Sequence, residues 1–486
     1  MFAWICVVFL LLIFHAYKNR KYYLLSWKLK GPFPLPIIGN GLSFLCENDN
    51  LLDKTIEICN KYPSPLRLWF GPKFTLVITD VTQAQKVMSS YNFITKDPDL
   101  YKFLEPFDGK GLITSSGVKW RKDRRLISPI FAKKNILQYF PTVLEQTKIL
   151  INVMESCVDK PAFNIEPYIH RCAADIVNRT FLGVKTEAQF GKMDRFLWLL
   201  HRMYTIIYAR IVKVWLQNDV LFQFSSYWKE HEEGKTVILG FMDKVIEISD
   251  KNNQQSKSFQ PVIEQLKSMR DEDAGFCTHQ DLKDHLVTLY SASEDTVTSI
   301  VSFTLLLLGM HPNIQERVIE EIHTTIGDKN SNIDENNVNK LEYLEMVIKD
   351  VLRLFPIASF IVRKAEKEIC LYGDCWIPAG CSVIVSIYNI HRDAKHWEKP
   401  NQFYPEHFLP DTVRSRHPYA FMPFSAGPRG CIGKPFAYMT MKIMLVTILQ
   451  HFQIETDEKF SNLQLKTDIS IRPKNDRFPI RLLLRK

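Results

Sequence analysis

Ten cysteines are scattered through this 486-residue chain, yet no two form a CxxC pair and none show the spacings that hold zinc. A disulfide framework and a zinc finger therefore drop out, and the pattern suits reduced thiols on a cytosol-facing protein. The net charge of +9 is dispersed, with no dense basic block and no base-stacking motif. That excludes nucleic acid as a partner and leaves an acidic protein or an anionic membrane surface. No glycine spacing ahead of Gly433-Lys434 fits a phosphate loop, no fixed-period repeat occurs, and nothing resembles a flavin or nicotinamide fold. Electrons for any redox step must then come from outside the chain. One sequon, Asn178-Arg179-Thr180, falls in a helical stretch and is expected to be unused.

The composition, 46% hydrophobic and 24% charged, supports a packed core built as one large domain or two. The longest apolar run is the N-terminal MFAWICVVFLLLIFHAY. It lacks a positive n-region and a small-residue cleavage site, carries Trp4 and Tyr17 near its ends, and is followed by Lys18, Arg20 and Lys21. These flanks predict a retained transmembrane anchor over residues 1–17, with the bulk of the chain cytosolic. Residues 18–40 read as a basic spacer and a stiff, extended hinge, GPFPLPIIGN, and residues 41–486 as the catalytic body.

Most of that body reads as helix. From Thr278 to Leu308 there is neither Gly nor Pro, and Thr278 with Asp281 forms a candidate capping box. Short alternating runs at Leu66–Gly71, Phe74–Thr79 and Ser382–Ile387 predict strands. The polar run Ser249–Ser258 predicts a surface loop.

Cys431 lies in FSAGPRGCIG, a glycine-broken loop ahead of an apolar-periodic helix that opens at Lys434-Pro435 and runs to about His451. A sulfur at a helix N-terminus faces free N–H groups, which predicts a lowered thiol pKa and a role as nucleophile or metal ligand. Neither His417 nor His451 has the context of a catalytic base.

The pattern Phe424-x-x-Gly-x-Arg429-x-Cys431-x-Gly433 resembles that of the cytochrome P-450 superfamily of haem-thiolate monooxygenases. Other segments are similar to the family's in the same order along the chain. They are WRKDRR at Trp120–Arg125, ASEDTV at Ala292–Val297, DVLR at Asp350–Arg353, Arg363, and NQFYPEHF at Asn401–Phe408. The resemblance implies a mainly helical fold with small sheets and a non-covalent haem b with Cys431 as axial ligand to the iron. It implies Trp120, Arg124, Arg363 and Arg429 as propionate contacts, with Phe424, Gly433 and Ala292 against the cofactor. Asp295 and Thr296 are implied as the acid–alcohol pair that handles protons during O2 cleavage, on a helix face shared by Leu289, Ala292, Ser293 and Thr296.

The sequence departs from the family at three places. Asp350 stands for a glutamate in the network with Arg353, His407 stands for that network's arginine, and Ser293 replaces a glycine. Tyr101–Trp120 and His285–Ser299 resemble the branch of fatty-acid omega-hydroxylases and their insect relatives, but Ala292 replaces the glutamate that esterifies the haem in many of them. The resemblance further implies a lipophilic substrate under lid helices within Phe196–Phe241, the endoplasmic reticulum membrane, and NADPH-cytochrome P-450 reductase, with cytochrome b5 as a second donor. Lys119, Arg121, Lys122, Lys434 and Lys442 would form the reductase dock. Two rival expectations are a haem-thiolate isomerase, disfavoured by Asp295-Thr296, and a non-catalytic or impaired haem- or lipid-binding homologue.

Overall fold

The computed structural model describes residues 10, 13–251, 259–272 and 278–485. Most of the expected anchor and most of the expected loop at 249–258 lie outside the described residues. By contacts the chain divides into two compact units. One is Met1–Asp97 with Phe360–Ile390 and His417–Gly430; the other is Pro98–Ser359 with His391–Arg416 and Cys431–Lys486.

The first unit is organised by a four-stranded sheet in the order Leu66–Phe70, Lys73–Ile78, Ser382–Ser386, Phe360–Lys364. The first two strands form an antiparallel hairpin, the middle pair runs parallel, and the last pair is antiparallel. Leu66, Leu68 and Val77 pack with Ile58 and Cys59 of the helix Leu51–Lys61 as one buried cluster. The proline-rich segment does not stay extended. Leu35 and Gly39 exchange both backbone hydrogen bonds at 2.8 Å, and the Asn40 side chain donates to the carbonyls of Pro32 and Phe33. Gly39, at φ +62°, sits where a Cβ would lie 2.3 Å from the Trp69 carbonyl oxygen, so the turn closes flat against the first strand.

The second unit is mainly helical. Its longest helix, His279–Met310, begins at the Thr278–Asp281 capping box that the sequence predicts, and at 1.5 Å per residue spans about 48 Å. Leu305 to Leu308 are all 0% exposed, so the C-terminal part of the helix is buried on every side and belongs to the core. The helices Glu166–Val177, Glu342–Leu354 and Lys434–His451 pack against it. Phe303 stacks on Phe355 with centroids 4.0 Å apart and meets Phe478 edge-on at 4.8 Å. Burial of each such side chain contributes ~1.5–3 kcal/mol, which makes this the rigid axis that carries the site. Small sheets complete the unit: Phe163–Asn164, Pro479–Leu484 and Phe452–Glu455 form one, and Leu465–Thr467 with Ile471–Pro473 forms a hairpin. Among the described residues no single helix is long and apolar enough to cross a membrane.

Candidate functional site

The loop Phe424–Gly433 starts in the first unit and enters the second between Gly430 and Cys431. Gly427 adopts φ +66°, and a Cβ there would lie 1.9 Å from the Met88 carbonyl oxygen, so only glycine lets the loop press onto the helix Val81–Ser89. Cys431 then stands one turn before the helix Lys434–His451, with Gly433 at the N-cap and Pro435 in the first turn. A Cβ on Gly433 would approach the Cys431 sulfur to 3.8 Å, an ordinary contact.

The Cys431 side chain is accessible at its surface, although protein surrounds it closely. Burial pushes its thiol above the ordinary value, while the backbone N–H groups of Gly433 and Lys434 and the charges of Arg124 and Lys434 act the other way. The expectation of a lowered pKa is therefore corrected. Two N–H bonds at a helix N-terminus do not offset the loss of water around a thiolate, and a bound metal cation would be needed to displace the proton.

Cations gather in both units. In the first, Arg363 lies on the strand Phe360–Lys364, and Arg429 donates from Nε to the Ile94 carbonyl at 2.8 Å. Both guanidinium groups face Lys96, whose amine is held well below its ordinary value by burial and then by Arg363 and Arg429. A buried lysine between two guanidinium groups suits a dianionic guest, whose charge would restore the ammonium form. Lys96 escaped the sequence reading because a lone lysine in a loop carries no motif. Phe424, in the same unit, is partly buried.

In the second unit Trp120 is buried, and Arg124 is lowered by burial, with the nearby Cys431 opposing the shift. Lys119 bridges Asp281 at 2.6 Å and Asp123 at 3.0 Å, tying the helix Gly117–Ile127 to the start of the long helix. Within this unit the Cys431 thiol and the Arg124 guanidinium act on each other, a pairing of a soft donor with a cation that suits an anionic, metal-bearing group. Among the described residues no cluster of three or more His, Cys, Asp or Glu side chains could hold a metal ion by protein ligands alone.

On the long helix Ala292 is exposed and Ser293 and Thr296 are partly so, in the middle of an otherwise buried stretch; Leu289 is buried. Both hydroxyls bond backward along the helix, Ser293 Oγ to the Leu289 carbonyl at 2.5 Å and Thr296 Oγ1 to the Ala292 carbonyl at 2.9 Å. Asp295 turns to the β-hairpin, where its carboxylate accepts from Ser470 Oγ and Arg472 Nη2. Burial alone would raise this acid, but Arg472, His201 and the Ser470 hydroxyl outweigh it and hold Asp295 below the usual carboxylate range. Ser470 and Arg472, some 175 residues away in sequence, had no motif that could have announced them.

Asp350 and Arg353 are both fully buried on the helix Glu342–Leu354. Arg353 makes five hydrogen bonds. Nε donates to Asp350 Oδ1 at 2.6 Å and Nη2 to Asp350 Oδ2 at 3.3 Å; Nη1 donates to the carbonyls of Pro400 at 2.5 Å and His391 at 3.3 Å, and Nη2 to that of Gln402 at 2.6 Å. Asp350 also accepts the Tyr404 N–H at 2.6 Å and lies 2.9 Å from His407 Nδ1. The short acid thus reaches its arginine, the chain at Tyr404 and the substituted histidine together. Arg416 joins by donating to the His407 carbonyl at 2.6 Å while its guanidinium lies 3.7 Å over the Trp397 ring.

Comparison with known proteins places this arrangement in a family context. A family model described as Cytochrome P450 matches residues 29–480. Cytochrome P450 4c21 of Blattella germanica is 31% identical over 494 residues, covering 98% of this chain and 97% of the relative. Cytochrome P450 4V2 of Homo sapiens is 30% identical over 477 residues, covering 93% and 90%, and cytochrome P450 4c3 of Drosophila melanogaster is 29% identical over 491, covering 96% and 91%. Insect proteins stand among these relatives, as the resemblance anticipates.

Proposed function

The chain belongs to the cytochrome P450 family, monooxygenases whose haem b is bound through a cysteine thiolate to the iron, and from that premise we propose that Cys431 is the ligand cysteine and that the protein oxygenates a lipophilic small molecule. The observation that carries this is the Cys431 sulfur, accessible and supported by two backbone N–H groups beside Arg124. Overall, O2 takes two electrons from NADPH through a reductase and two protons from water. One oxygen atom enters a substrate C–H bond and the other leaves as water.

When bound, the haem supplies O2 activation favoured by thiolate electron donation. In the second unit Trp120 and Arg124, and in the first Arg363 and Arg429 with Lys96, are the residues that would contact its propionates, and Phe424 and Gly433 are the further cofactor contacts that the family motif implies. Ala292 offers a methyl group and no nucleophile, which supports a haem not esterified at that position. Thr296 Oγ1, parked on the Ala292 carbonyl, keeps lone pairs to accept a proton and can rotate its own proton outward. Asp295, fixed as a carboxylate by Arg472, provides the acceptor end of a relay.

The helices Asp194–Val212 and Trp228–Lys251 bracket a stretch with Val214, Trp215, Leu221 and Phe224 exposed, Phe224 at 85%. Such a surface favours a lid that meets lipid, and with the N-terminal apolar run it supports an endoplasmic reticulum enzyme with a cytosolic catalytic body. NADPH-cytochrome P-450 reductase and cytochrome b5 are the electron donors in this reading. The bonds of Asp350 to Arg353, to the Tyr404 N–H and to His407 Nδ1 favour catalysis over a non-catalytic binder, because both departures from the family pattern still join one network around Arg353.

The test is the reduced carbonyl spectrum of the purified protein, followed by turnover with reductase and NADPH against lipids and hydrophobic xenobiotics. The red-shifted thiolate band with an oxygenated product is expected. A blue-shifted band, or haem with no oxygenation of any substrate, overturns the proposal.

A further inference from the structure

Glu294, one residue before Asp295, has no part in the mechanism above, yet its side chain is fully buried on the long helix. Its Oε1 meets His170 Nε2 on the helix Glu166–Val177. The other ring nitrogen, Nδ1, lies 3.9 Å from Glu166 Oε1, one turn earlier on the same helix. Glu166 and His170 keep 15% and 13% of their side chains exposed, so the three groups run inward from a solvent-touched edge. Arg472 flanks them, with Nη1 3.6 Å from Glu166 and Nη2 bonded to Asp295. Neither Glu294 oxygen has an in-line hydrogen bond among the described residues. Oε1 thus rests against His170 Nε2 without hydrogen-bond geometry, and Oε2 is left as a buried oxygen without a partner among the described residues.

Burial raises Glu294 well above the usual carboxyl value, Asp295 and Glu166 adding to the rise and Arg472 opposing it. Burial also lowers His170, with Arg472 and Arg171 adding to the fall and Glu166 and Asp295 opposing it. Both groups favour their neutral forms, so Glu294 holds a transferable proton beside an acid that Arg472 keeps ionised.

We propose that Glu166, His170 and Glu294 form a proton-feed line from solvent to the Asp295–Thr296 end of the long helix. The inference rests on the monooxygenase reading, whose chemistry consumes two protons per turnover. The O–H bond at Glu294 Oε2 breaks and its proton passes through a water molecule toward Asp295 and Thr296. Oε1 takes the proton from His170 Nε2, and Nδ1 takes one from water at the Glu166 edge. The imidazole has then exchanged one tautomer for the other; a flip of its ring returns an N–H to Glu294, and rotation of the Glu294 carboxyl carries the new proton from Oε1 to Oε2. Charge is conserved at each transfer, and water is the ultimate donor.

Infrared spectroscopy of the full haem-loaded protein reads the line without turnover. The wild type should show carbonyl stretches of protonated carboxylic acids that shift in D2O, and E294Q should remove one component, the Glu294 band, while that of Asp108, pushed up to about 7 by burial, remains. H170F and E166Q should keep the band and slow its D2O shift. In turnover, H170F and E166Q should lower product formed per NADPH by roughly a hundredfold, the low end for a positioned proton-transfer group, with released hydrogen peroxide making up the difference. An unchanged reduced carbonyl spectrum in each variant shows that the site still assembles, and E166Q, nearest the surface, covers a folding failure of H170F. A spectrum of E294Q identical to wild type, or full coupling in both H170F and E166Q, overturns the proposal. If the wild type oxygenates nothing, the monooxygenase reading fails, while the band and its D2O shift still decide whether the line exists.

Discussion

Replacement of Arg353 separates charge from shape in a fully buried polar network of the second unit. Its five bonds reach both oxygens of Asp350 and the carbonyls of His391, Pro400 and Gln402. Lysine keeps the positive charge but offers three donors on a single nitrogen in place of a planar fork with five. At least two buried acceptors then go unmet at ~1–3 kcal/mol each, so R353K should lose ~2–6 kcal/mol. R353A also strips Asp350 of its counter-charge, worth ~3–5 kcal/mol for a broken buried pair before the bare carbonyls are counted. That total rivals the ~5–15 kcal/mol of a whole domain, so R353A should fail to fold the second unit. The assay is urea unfolding followed in parallel by far-ultraviolet circular dichroism and by the haem Soret band, since two compact units need not unfold together. R353K within ~0.5 kcal/mol of wild type would refute the claim that the fork, and not the charge alone, holds the network.

Three further outcomes follow from the same geometry. C431S should retain folded protein but lose the red-shifted reduced carbonyl band; a surviving band would move the ligand to another cysteine. K96M should speed haem transfer to apomyoglobin by roughly tenfold to a hundredfold, the equivalent of ~1.5–3 kcal/mol for one charge-assisted hydrogen bond, and an unchanged rate would remove Lys96 from the cofactor site. D295N should destabilise by up to ~3–5 kcal/mol at neutral pH through the stranded charge of Arg472, tempered by Glu166 at 3.6 Å. Because the folded-state pKa of Asp295 lies below the unfolded one, the unfolded chain binds the extra proton between the two values. Wild-type stability from this group is therefore complete above about pH 4 and lost on further acidification, and that limb of the pH–stability curve should shrink in D295N.

Features written into short stretches of chain were legible before folding. The capping box at Thr278 and Asp281, the unbroken apolar run behind it, and the helix from Lys434 to His451 depend on neighbours a few residues apart. So do the three strands in Leu66–Phe70, Lys73–Ile78 and Ser382–Ser386, and the motif around Cys431 that identifies the family. Local dihedral preference, periodicity and capping act over one or two turns, and a reader of the sequence has all the parties in view.

What the tertiary structure decided needed groups brought from far along the chain, or needed burial. Asp295 meets Ser470 and Arg472 only because the C-terminal hairpin returns to the long helix, which turns a candidate proton donor into a held carboxylate. Lys96 becomes part of a cation cluster only beside Arg363 and Arg429. The proline-rich hinge reads as extended by its φ restriction, yet the reciprocal bonds of Leu35 and Gly39 and the Asn40 side chain fold it into a turn. The Cys431 thiol inverts its expected shift because desolvation scales with all the protein around a group, while the helix N-terminus contributes only the few N–H groups that face it.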